Sequence, residues 1–188
     1  MGGMEEAKSR IEGVELKRFK NPSYYHPSQS LLDSDPTEIF DFVYYQGPKI
    51  PSPPSFVPSS LYGINERPYE DGNKTVLKVC LDSVYELKVV NPTTASHPFH
   101  MHTNHFQVVS ALCGDTSKGE ELRECDTSPD YVKGDWRDTI TPPSPWEVVV
   151  RFQPRDWVGD SFAHCHIFGH EDRGMAVKVI ISDCKGNS

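Results

Sequence analysis

The chain has 188 residues, 27 of them acidic against 19 basic, for a formal net charge of −8. That length suits one domain, or one domain with an extension, and the acidity excludes a general nucleic-acid binder, which needs a basic face for phosphate. Sixteen prolines disfavour an all-helical fold, and no run of about 18 apolar residues is present to cross a membrane as a helix.

In chain order, residues 1–59 read as a proline-rich leader, a linker or the remnant of a preceding domain. The first 13 residues carry charges of both signs and no apolar stretch, so they are not expected to be a secretory signal peptide. His26 reads as an isolated surface or structural histidine. Residues 39–45 predict one strand, ahead of the proline-dense, extended stretch 47–56. Over residues 60–183, β-branched and aromatic runs are bounded by Pro, Gly, Asn and Asp, and they predict strands at 75–81, 84–90, 106–112, 146–152, 161–166 and 175–181. No segment carries a 3.6-residue apolar period. The expected fold is therefore all-β: a Greek-key antiparallel β-sandwich with an irregular N-terminal extension and a tail at 184–188.

Five cysteines are an odd number. Cys80, Cys113, Cys125 and Cys184 allow two disulfides, with the pairing left open, and Cys165 is left for a separate task. Disulfides imply an oxidising compartment, and Asn73-Lys74-Thr75 is a glycosylation acceptor sequence that agrees with it. One reconciliation with the leader is that the chain is the C-terminal piece of a longer secreted protein.

Seven of the eight histidines fall in two short clusters, His97-Pro98-Phe99-His100-Met101-His102-Thr103-Asn104-His105 and His164-Cys165-His166-Ile167-Phe168-Gly169-His170. On a strand, alternate side chains face opposite sides. His100 and His102 then share a face, as do His164 and His166, while Cys165 points the other way. That geometry serves two metal sites back to back. Cys165, His170 and Met175 lie five residues apart, and His97 completes two imidazoles, a thiolate and a thioether, the ligand set of a blue-copper site. Zinc fits less well, since structural zinc sites gather thiolates in CxxC pairs and none is present. His100, His102, His164 and His166 form an imidazole-only group suited to copper that binds and reduces oxygen. His105 reads as a supporting residue rather than a ligand. Glu171 and Asp172 read equally as groups that orient a donor and as an ordinary solvated turn.

At these two motifs the sequence resembles the multicopper oxidases, laccase-like proteins built of plastocyanin-like (cupredoxin) domains, and in particular their last domain. Tyr62-Gly63-Ile64-Asn65-Glu66-Arg67-Pro68-Tyr69 is similar to the strand that opens that domain, and Trp136-Arg137-Asp138-Thr139-Ile140 and Gly159-Asp160-Ser161-Phe162 fit the approach to the second motif. The resemblance implies a cupredoxin-like sandwich over residues 60–183 and copper as the cofactor. It implies type 1 copper on His97, Cys165, His170 and axial Met175, type 2 copper on His100, and a type 3 pair on His102, His164 and His166. It further implies that electrons from a reducing substrate (a phenol, an aromatic amine, ascorbate or a metal ion) pass through Cys165 to His164 and His166, where O2 is reduced to water. Many laccases carry a Gly-His pair where this chain has Thr103-Asn104. The family completes the cluster with two His-Xaa-His pairs from its first domain. This chain has no further pair, so the implied partner is a missing first cupredoxin domain or another subunit. The alternative is a single-domain type 1 copper electron carrier without oxidase activity.

Overall fold

The structure is a computed structural model and describes residues 30–47, 62–69, 76–114, 118–125, 132–142 and 144–185. His26, Thr75, the glycosylation sequence at 73–75 and nearly all of the stretch 47–56 lie outside the described residues.

Two sheets face each other. The larger runs in the order β2(Tyr62–Ile64), β1(Glu38–Gln46), β4(Tyr85–Asn91), β10(Trp146–Phe152), β6(Phe106–Cys113) and β7(Arg123–Glu124), with β8(Trp136–Arg137) also pairing with β6. The smaller runs β3(Val76–Cys80), β12(Ala176–Ser182), β11(Gly159–Cys165), β5(Phe99–Met101) and β9(Thr139–Ile140). A one-turn helix, α1(Phe168–Glu171), joins β11 to β12. All the predicted strands form, within a residue or two at their ends.

Alternation builds the core. Leu87 and Val89 on β4, Val148, Val150 and Phe152 on β10, and Phe106 and Val108 on β6 turn inward from the larger sheet. Val79, Val177, Val179, Ile181, Ala163 and Phe99 meet them from the smaller one. Burying such side chains contributes about 1.5–3 kcal/mol each.

The sandwich differs from the sequence expectation in two respects. First, it takes in β1, which the sequence assigns to the leader. Phe42 and Tyr44 alternate inward there and pack against Phe99 and His97. Second, the sheets are mixed, because β1 runs parallel to β4 and β12 parallel to β3. Parallel neighbours need a long crossover, and the chain between β1 and β4 supplies one that carries β2 and β3.

Two disulfides follow from strand neighbours. Cys80 lies opposite Ser182 across β3 and β12, which brings it to Cys184, so the first residue of the expected tail is tethered. Cys113 and Cys125 close the β6–β7 hairpin. Cys165 is a buried free thiol.

Candidate metal centre

The register of β5 against β11 explains the placement of both histidine motifs. His164 lies opposite His100, and Cys165 lies opposite Phe99. Residues that face each other across an antiparallel pair lie on one side of the sheet. His100 and His164 are therefore brought together on the outer side, and Cys165 enters the core beside Phe99.

On the inner side, Cys165 Sγ stands 3.6 Å from His97 Nδ1 and 3.6 Å from His170 Nδ1, and the two nitrogens are 3.1 Å apart. With metal–donor lengths of about 2.0 Å for nitrogen and 2.3 Å for sulfur, three donors around one ion stand roughly 3.5 Å apart. The triangle therefore fits a trigonal His2Cys ligand set. Met175 is fully buried at its edge, with its backbone N–H on His170 O and its carbonyl accepting from Cys165 N–H, both at 3.0 Å. Gly174 makes this approach possible. Its φ is +103°, and a Cβ there would lie 2.6 Å from Pro68 Cβ, so a side chain is excluded on both counts.

Burial pushes the Cys165 thiol up to about 11, with Ile167 N–H opposing that shift. A metal that takes this sulfur as thiolate must displace its proton. Burial, and then the neighbouring His170, hold His97 down at about 4. Burial, and then Arg173, lower His170. Both shifts favour the neutral imidazole, the form that can take a metal.

On the outer side, His100, His102 and His164 offer ring nitrogens that lie within 4.8 Å of one another. His102 Nε2 is 2.9 Å from His164 Nε2. The His166 ring joins them at 5.1 Å from His100 and 5.6 Å from His164. Burial is the first cause of the lowered values of His100 and His102. Acceptors behind the rings set their tautomers. His100 Nδ1 lies 3.0 Å from Asp138 O, and His164 Nδ1 lies 3.1 Å from Cys165 O and 3.3 Å from Glu171 Oε2. A proton on each Nδ1 leaves Nε2 bare. A cavity of about 280 Å³ opens beside His102 and His164, with Tyr69, Phe162 and Glu171 in its wall.

Six of the eight sequence-predicted ligands thus gather into two groups of donor atoms, the His166 ring lies beside the outer group, Met175 adjoins the inner one through its backbone hydrogen bonds, and His105 belongs to neither group. Glu171, left open between two roles by the sequence, faces His164 rather than the inner triangle. Sequence reasoning missed Tyr62, whose ring stacks 4.3 Å from His170, Tyr44, which lies 4.9 Å from the His97 ring, and Asp138 and Thr139 behind His100. Tyr44 lay in the predicted strand 39–45, and Tyr62 and the Asp138–Thr139 pair lay in stretches that carry the resemblance, but nothing in their spacing assigns these contacts.

The multicopper oxidase profile matches residues 40–184. An iron transport multicopper oxidase, FET3 of Kluyveromyces lactis, is 29% identical over 90% of this chain and 28% of its own length. A laccase of Bacillus subtilis is 28% identical over 64% of this chain and 24% of its own length. Among solved structures, a multicopper oxidase of Campylobacter jejuni, described as a metallo-oxidase, superposes with a TM-score of 0.58 at 24% identity, covering 78% of this chain and 30% of that one. The chain spans less than a third of the length of each.

Proposed function

The chain belongs to the multicopper oxidase family, and we propose that it holds type 1 copper on His97, Cys165, His170 and Met175 and contributes His100, His102, His164 and His166 to an oxygen-reducing copper cluster. The observation that carries this reading is the back-to-back geometry of β11, with Cys165 in the inner triangle and His164 beside His100 and His102 on the other side. Copper bound there supplies one-electron redox chemistry at the thiolate site and oxygen reduction at the imidazole group.

The chain's own residues link the two groups. Cys165 is joined through the backbone to His164 and His166, and its carbonyl also lies 3.1 Å from His164 Nδ1. His170 is the half-buried edge of the inner triangle, whereas His97 is fully enclosed. A reducing substrate therefore meets the protein at His170, with the buried Tyr62 ring stacked behind it. Its class is a phenol, an aromatic amine, ascorbate or a metal ion. The outer group is half a cluster, since four imidazoles are too few for three copper ions. The remaining imidazoles come from a first cupredoxin domain or another subunit. Phe168, 78% exposed next to His166 and His170, is an apolar side chain that such a neighbour would cover. The two disulfides fit folding in an oxidising, secretory compartment.

Copper titration of the 188-residue chain, followed by visible absorption, electron paramagnetic resonance and oxygen uptake, tests this reading. The expected result is one intensely blue copper per chain and no sustained four-electron oxygen reduction without added imidazoles. A chain that takes up copper without an intense visible band refutes the type 1 assignment, and oxygen reduction by a strictly monomeric chain refutes the half-cluster.

A further inference from the structure

Asn91 ends β4 as a fully buried amide. Its Nδ2 donates to two carbonyls, Ala95 O at 2.8 Å and Pro142 O at 2.9 Å. That fixes the amide's orientation, because carbonyls can only accept. Oδ1 therefore faces Thr93, accepting from its backbone N–H at 3.2 Å and lying 2.8 Å from its Oγ1. The Thr93 hydroxyl has a single hydrogen. Two of its neighbours, Asn91 Oδ1 and Ala95 O at 3.0 Å, are acceptors only. Ala95 N–H donates to the hydroxyl oxygen at 3.3 Å, and His97 Nε2 lies 2.9 Å from it. A hydroxyl hydrogen turned to His97 would leave both acceptor-only oxygens, at 2.8 and 3.0 Å, facing a lone pair, so it is better spent on one of them, and His97 Nε2 then meets an oxygen lone pair and donates to it. The ring proton then sits on Nε2, and Nδ1 is left bare towards Cys165 Sγ and His170 Nδ1.

We propose that Thr93, oriented by Asn91, is a positioning residue of the inner metal centre, which sets the tautomer and ring direction of His97 before any ion arrives. The inference rests on the reading of His97 as a copper ligand and deepens it. Without the Thr93 hydroxyl, the Nε2 proton loses its acceptor. The Nδ1–H tautomer then gains, because its hydrogen can bond to His170 Nδ1, only 3.1 Å away. An incoming metal would have to displace that proton first. Outer partners of metal-binding histidines are worth about 10–100-fold in affinity.

The test is the nitrogen-15 spectrum of the histidine rings, recorded on the full copper-free chain at mildly alkaline pH for the parent, Thr93→Ser, Thr93→Val and Thr93→Ala. His97 should be Nε2–H in the parent and in Thr93→Ser, and should shift towards Nδ1–H in Thr93→Val and Thr93→Ala. Copper affinity should fall by about 10–100-fold in the last two and be restored by serine. Parent His97 protonated on Nδ1, or unchanged tautomer and affinity in Val and Ala variants whose amide spectra remain native, would overturn the proposal. The tautomer is read without copper, so failure of the parent chain to take up copper sinks the copper reading separately.

Discussion

On the inner side of β11, Cys165 and His97 are completely buried, and the third donor, His170, closes the triangle from the loop that begins with α1. On the outer side, His102 and His166 are exposed, and only His164 is covered. The two groups share one strand and are separated by a single backbone step, yet they differ in closure. The inner group draws on the hydrophobic core of both sheets, which holds each ring in place. The outer group has one sheet face behind it, and among the described residues only the cavity wall of Tyr69, Phe162 and Glu171 stands beside it. A site embedded in a core can be completed by one domain, whereas a site on a sheet face needs a second surface.

The largest effect expected from that contrast is its separation by one atom. Cys165→Ser should abolish the intense visible band and inner-site copper binding, while the imidazole group keeps its metal affinity, because Sγ belongs to the inner triangle alone. Metal analysis with electron paramagnetic resonance checks this, and simultaneous loss of both groups would show that they are not independent. Next in size is Gly174→Ala. A Cβ would press on Pro68 and Tyr69 at a φ of +103°, which should cost roughly 2–4 kcal/mol and loosen Met175 beside it. Denaturant unfolding measures the first effect, and copper occupancy the second.

A smaller effect separates the groups by pH. Burial lowers His97 to about 4, and His170, His100 and His102 are lowered as well. Unfolded imidazoles titrate near 6.5, so between about 6.5 and about 4 the unfolded chain binds more protons. The stability that these neutral rings contribute is present above that window and is lost as the pH falls through it. Urea midpoints of the copper-free chain should therefore drop on acidification. His97→Gln should flatten the dependence more than His102→Gln, since the enclosed ring is shifted furthest. Equal flattening would contradict the difference in closure.

The facing of the histidines around Cys165 was legible in the sequence because it follows from period-two alternation, whereas the register that sets His164 opposite His100 was not. His100 and His102, and His164 and His166 around Cys165, carry their facing in their spacing. The place of β1 was less legible. Its apolar residues read as one short strand beside a proline-rich stretch, and its parallel pairing with β4 depends on a partner 47 residues away. Disulfide pairing stayed open for a related reason, since the Cys80–Ser182 register is a property of the assembled sheet. Thr93 was invisible as a support for His97 because its role arises from the direction of one hydroxyl hydrogen, which the buried Asn91 amide decides.

The smallest expected effect lies at the open side. Thr103 follows His102 with a φ of +64°, a left-handed conformation that costs a non-glycine residue about 1–2 kcal/mol. A β-branched side chain is poorly suited to it. Thr103 is exposed, and its Oγ1 lies 3.2 Å from both Ser161 Oγ and Asn104 Nδ2. Both bonds are part-buried, but Ser161 Oγ keeps His102 O as a partner at 3.2 Å, so loss of the Thr103 hydroxyl leaves Ser161 paired and costs little net stability. Thr103→Gly relieves the strained φ but gives the unfolded chain extra freedom worth about 0.4–1 kcal/mol. The balance should be a stabilisation of about 0.5 kcal/mol, with the inner copper spectrum unchanged. Urea unfolding of the copper-free variant measures it. Destabilisation by more than about 1 kcal/mol would show that the Thr103–Ser161 contact braces the loop carrying His102, and the outer group would then be held by more than the sheet behind it.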